Sequence, residues 1–192
     1  MTRLAVLALA ALLCAVGTAS ACPTVLRIDV LDREQRLLRR ANAVIDHDGR
    51  HALTVAHVLD GAAKIRWHLP SGRQPVARAD PPDAIGDGIV RLPAPRLRAH
   101  SRTITATVPN GAPIRVLGNL VQMGAVVLKG TAGPPSRHPL LRGARELSAP
   151  LSEGLSGAAI VDEQCRLVGL AAFGLWSVTG QQAYFLPLMR QP

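Results

Sequence analysis

The most constraining stretch of the chain is Glu153-Gly154-Leu155-Ser156-Gly157-Ala158-Ala159-Ile160-Val161. It is followed, across the polar turn Asp162-Glu163-Gln164-Cys165, by Arg166-Leu167-Val168-Gly169-Leu170. Two short apolar runs around a polar turn predict a β-hairpin. Ser156 falls just before the first strand, between glycines at 154 and 157. Lacking Cβ, Gly154 tolerates backbone angles that turn its N–H outward. The amides of Gly154 and Ser156 are then candidates to hold a developing oxyanion next to an exposed hydroxyl.

The rest of the chain repeats this rhythm of short strands and turns. Thr24 to Val30 alternates apolar and polar residues, as a half-buried strand does. Arg33 to Arg40 reads as a charged connection, with Leu37-Leu38 as a hint of a helical turn. Ala43-Val44-Ile45-Asp46 leads through Asp48-Gly49, a strong hairpin signal, into His51 to Leu59. Further strands are predicted at 64–69, 74–78, 103–108, 113–117, 125–129, 145–148 and 183–186, with 131–141 as a Gly/Pro loop. Strands at this spacing favour an all-β sandwich or barrel over an α/β fold. The proline-punctuated segment Pro93 to His100 reads as the link between two halves, 22–97 and 98–192.

Met1-Thr2-Arg3, an apolar run to Val16 and a small-residue end at Ala19-Ser20-Ala21 have the pattern of a secretory signal peptide over residues 1–21. The run is too short to span a membrane as a helix, and no other stretch qualifies. A secreted or periplasmic location follows as the expectation. Cys14 would leave with the signal, so Cys22 and Cys165 form an even pair in an oxidising compartment. A disulfide between them is the favoured reading. The alternative is a lipid anchor at Cys22, because Ala19-Ser20-Ala21-Cys22 partly matches a lipobox.

The formal net charge is +9 and nearly all of the excess is arginine, with Lys64 and Lys129 as the lysines. Aromatic residues are 3% of the chain, which leaves little to stack on bases. A nucleic-acid partner is therefore not expected, and an Ala-, Arg- and Pro-rich composition accounts for the charge.

The decisive context lies upstream. Thr54-Val55-Ala56-His57 follows a strand and an Asp-Gly turn, and Asp87-Gly88-Ile89-Val90-Arg91-Leu92 follows it. With Gly154-Leu155-Ser156-Gly157, these segments resemble the three catalytic segments of chymotrypsin-like serine proteases, in the order histidine, acid, serine. The compact secreted bacterial members are the nearest pattern. An α/β-hydrolase would run serine, acid, histidine. The resemblance implies two antiparallel β-barrels, residues 22–97 and 98–192, with the active site in the cleft between them. It implies His57 as general base, Ser156 as nucleophile, and an acid that orients the imidazole. Asp87 is the preferred acid, expected to be buried beside His57; Asp83 is the alternative. Gly154 and Ser156 would form the oxyanion hole. The chain is expected to act as a monomer on polypeptide substrates, without cofactor or metal.

Two departures from the family pattern matter. Leu155 stands where pancreatic-type members carry an aspartate that pairs with a newly cut N-terminus, so activation by N-terminal insertion is not expected. Pro150 stands near the floor of the primary pocket and Ala171-Ala172-Phe173-Gly174 along its wall. No buried acid is offered, which predicts cleavage after small or medium apolar residues. Ala158-Ala159 in place of the family's Gly-Pro, and an acid segment one residue short, keep open a catalytically inactive, protease-like binding protein. An envelope protein using its arginine surface is a third reading.

Overall fold

A computed structural model describes residues 21–79, 82–97, 103–137, 141, 143–177 and 180–189, with the backbone alone at 86, 173–177, 180 and 181. The expected signal peptide, apart from Ala21, lies outside the described residues. Strands β1 (Val25–Leu31), β2 (Leu37–Ile45), β3 (His51–Val55), β4 (Lys64–His68), β5 (Val76–Arg78), β6 (Asp83–Gly86) and β7 (Ile89–Pro93) form one antiparallel sheet in the order β5-β4-β1-β2-β3-β7-β6. Strands β8 (Pro113–Leu120), β9 (Gly124–Pro135), β10 (Arg145–Leu147), β11 (Ala159–Val161), β12 (Leu167–Ser177) and β13 (Gly180–Pro187) close into a barrel. The all-β, two-barrel architecture is therefore present, the first half as a half-barrel. A 3-10 turn, Ala56–Leu59, follows β3. No helix among the described residues is long and apolar enough to cross a membrane.

Alternation sets which residues face inward. Ile28, Val30, Ile65 and Trp67 are buried from paired strands β1 and β4. They join Val161, Leu167, Leu170 and Leu186 of the second half in one apolar cluster. Burying the seam between the halves fixes the cleft above it, since each buried large apolar side chain stabilises by roughly 1.5–3 kcal/mol.

Three local expectations are revised. Residues 37–40 continue β2 instead of forming a helical turn, because Arg39 and Arg40 pair with Val30 and Asp29. The stretch 131–135 extends β9, held by Pro113↔Thr131 on one side and Arg145↔Pro135 on the other. The stretch 103–108 makes only an isolated parallel bridge, Thr105↔Leu167.

Arg145 shows how the barrel tolerates a buried cation. It is 4% exposed and donates to the carbonyls of Gly133 and Val108 and to Asn110 Oδ1, over the Phe185 ring. Burial pulls its pKa down, and the ring of oxygens offsets the lost hydration.

Candidate active site

β3 ends at Val55 and the chain turns at once into the 3-10 turn that carries His57. The turn is pinned from below, where the Ala56 amide donates to the Gly88 carbonyl at 2.7 Å. It is pinned from the side by Arg39, whose guanidinium donates to the His57 carbonyl. In the second half, the residues before β11 form the loop that carries Ser156. The two side chains meet across the seam: His57 Nε2 lies 3.4 Å from Ser156 Oγ, although the residues are 99 positions apart. Ser156 Oγ also lies 3.3 Å from the Ala172 carbonyl on β12.

Burial lowers the His57 pKa below its ordinary 6.5; Asp60 opposes the shift and Arg39 adds to it. A partly dehydrated, neutral imidazole beside a hydroxyl is equipped to accept its proton. The amides of Gly154 and Ser156 donate to no acceptor among the described residues. Gly154 has φ +90°, a conformation that glycine accommodates without a Cβ clash. Two uncommitted N–H groups thus flank the hydroxyl.

The acid is placed differently from expectation. Asp87 is exposed, not buried. Its Oδ2 lies 3.3 Å from where a Cβ on Gly143 would stand, so the carboxylate sits at the seam against the second half. Asp83 begins β6, opposite Arg91, and is also exposed. The short stretch between Asp83 and Ile89 folds into a hairpin with a register shift at Ala84/Gly86. Asp87 therefore lies in the turn before β7, outside the apolar sheet.

Two residues that motif reading passed over hold the serine loop. Asn42 is fully buried in β2. Its backbone N–H donates to the Ser156 carbonyl at 2.8 Å. Its side-chain amide donates to the Gly154 carbonyl at 2.7 Å, and its Oδ1 accepts from the Asn119 amide at 2.7 Å. Thr54 Oγ1 donates to the Asn42 carbonyl. Gly157 fits beneath with φ +79°, where a Cβ would stand 2.0 Å from the Asn42 oxygen. An asparagine in the middle of a strand is a poor strand former, and that mismatch was the available signal.

Leu155, in place of an ionic partner, is 1% exposed. It fills the space that Gly118 leaves open, where a Cβ would come within 2.6 Å of Leu155 Cδ2. Apolar packing occupies the position at which an inserting N-terminus would be met. Cys22, at the start of the sheet, is bonded to Cys165 in the turn after β11. Pro150 is exposed and lines a cavity of about 230 Å³ with Glu146, Ser148 and Gln182, none of which carries the His57–Ser156 pair.

A half-barrel and a closed barrel meeting at a histidine–serine pair define the chymotrypsin-like protease fold, and this chain has it. Among solved structures it is similar to the HtrA-type protease AlgW with tripeptide (22% identity, TM-score 0.69), over 88% of this chain and 57% of that one. It is similar to the serine endoprotease from Yersinia pestis (21%, 0.67; 88% and 60%) and to the Rv3671c protease in an inactive form (16%, 0.68; 85% and 82%). The chain thus spans under two thirds of the length of the HtrA-type structures. No protein-family model and no curated protein matches it.

Proposed function

We propose that the protein is a serine endopeptidase acting in the periplasm or outside the cell. The observation that carries this is the 3.4 Å approach of His57 Nε2 to Ser156 Oγ across the seam, beside two uncommitted loop amides. Ser156 attacks the peptide carbonyl as His57 takes its proton; the new C–O bond places charge on the carbonyl oxygen, which the Gly154 and Ser156 amides receive. His57 then gives the proton to the departing amine, and water repeats the sequence to release the acyl chain. Asp87, placed at the seam against Gly143, serves as the acid that orients His57. We keep small or medium apolar residues before the cleaved bond as the expected preference, since the hollow at Pro150 holds no buried acid among its lining residues. Leu155 makes the serine loop independent of N-terminal insertion, and the Cys22–Cys165 bridge supports an oxidising compartment.

The exposed position of Asp87 favours one second reading, a protease-like binding protein without catalysis. A serine-reactive phosphonate separates the two. Labelling of the native chain but not of Ser156→Ala supports the endopeptidase; equal labelling of both, or of neither, supports the binding protein.

A further inference from the structure

Beside Gly154 the surface opens into a cavity of about 510 Å³. Its floor is the start of β2, with Leu38 and Arg39; its far wall is the β8–β9 turn, with Val121 and Met123. The apolar part is held open to solvent: Leu37, Leu38 and Val121 are each more than a third exposed, and Met123 is 71% exposed.

The polar part is unbalanced. Arg27, Arg39 and Arg40 line the cavity, against a single acid, Glu153. Behind them, one buried carboxylate, Asp29, is shared by Arg40 at 4.0 Å, Arg66 at 3.7 Å and His68 at 3.0 Å. Arg27 has turned to His68 and leaves its buried Nε without a partner. Arg39 has no carboxylate partner among the described residues and is committed to the His57 carbonyl. A concave wall with excess positive charge and low-dielectric surroundings focuses that charge into the cavity.

The cavity's place relative to the reacting atoms fixes which part of a substrate reaches it. The departing nitrogen takes its proton from His57, so the chain beyond the cleaved bond leaves on the His57 side. Arg39, bonded to His57, is the cavity wall on that side. The opposite side of Ser156 is occupied by Ala172 and β12.

Building on the endopeptidase reading, we infer that this cavity binds the substrate segment that follows the cleaved bond, and that it selects an apolar side chain next to an acidic one. Leu38, Val121 and Met123 take the apolar side chain, and Arg40 with Arg39 faces the carboxylate. The substrates are accordingly polypeptides in which an apolar residue and then an acidic one follow the cut.

The test uses acyl transfer. An ester substrate acylates Ser156; an added dipeptide amide then competes with water for the acyl carbon. Its nitrogen forms the new C–N bond, the Ser156 Oγ–C bond breaks, and the amine proton passes through His57 to Oγ. The ratio of transfer to Leu-Asp-amide over Leu-Lys-amide reads the cavity alone, whatever the rate of acylation. The expected ratio is about fivefold, falling toward one as salt approaches about 0.5 M; Arg40→Glu inverts it. Ester hydrolysis with equal transfer to both amides, at all salt concentrations or unchanged in Arg40→Glu, overturns this inference and leaves the endopeptidase intact. No ester hydrolysis and no phosphonate labelling overturns both. If Arg40→Glu does not fold, the salt series on the native chain still decides.

Discussion

The side-chain amide of Asn42, in the first half, donates to the Gly154 carbonyl at 2.7 Å, across 112 positions of sequence. The same residue donates its backbone N–H to the Ser156 carbonyl. The loop that would stabilise the oxyanion is therefore held by the opposite half of the molecule, and the geometry of the hole depends on the seam.

Asn42→Ala removes that amide and leaves the half-buried Gly154 carbonyl and Asn119 N–H without this partner, at about 1 kcal/mol for each group. We expect kcat to fall about 10- to 100-fold with KM nearly unchanged, because the loss concerns transition-state charge and not substrate contact. Steady-state kinetics on a peptide substrate, with the melting temperature measured in parallel, checks it. A rise in KM alone would show that Asn42 acts on binding.

Gly157→Ala places a methyl group against the Asn42 oxygen at a positive-φ position. Relief requires the serine loop to move away from β2. Folded protein should lose more than about 2 kcal/mol and phosphonate labelling should disappear. A variant that unfolds at the native denaturant concentration and labels normally contradicts the tight seam.

The acids near His57 separate by pH. Asp60 raises the His57 pKa and Arg39 lowers it. Activity requires neutral His57, so the acid limb of kcat/KM should lie below 6.5, and Asp60→Asn should move it further toward acid. Asp87→Asn should instead lower kcat about 10⁴-fold with the chain still folded. Were Asp87→Asn to shift only the limb, the orienting acid would be another residue.

The same lowered pKa has a stability consequence. Unfolded His57 binds a proton near 6.5 while folded His57 still resists it, so the unfolded chain holds more protons in that window. Stability is then fully present above 6.5 and is lost as pH falls through the folded pKa. His57→Gln should flatten that part of a pH-stability curve measured in urea.

Cys22 and Cys165 close a loop of 143 residues. Cys165→Ser, or reduction, should cost about 3 kcal/mol and leave Cys22 open to thiol reagents. A non-reduced native chain with a freely reactive Cys165 would refute the bridge.

The short apolar runs and turn residues determined the strands, because period-two burial and Asp-Gly or Gly-Leu-Ser-Gly turns are local properties. They also made His57 and Ser156 legible, since each sits in a tight local motif at the end of a strand. Leu155 was legible as a departure, and its burial beside Gly118 supplies the reason. What local sequence did not determine is the placement of charged and polar groups between the halves. Asp87 lies in the turn after a register shift, exposed at the seam against Gly143, which is 56 positions further along the sequence. Asn42 belongs to no local motif; only the second half, folding over it, turned its amide into the support of the serine loop. Side-chain alternation is set by neighbours two residues away, whereas the site is set by hydrogen bonds that close over about a hundred residues, and those exist only once the two cores have packed.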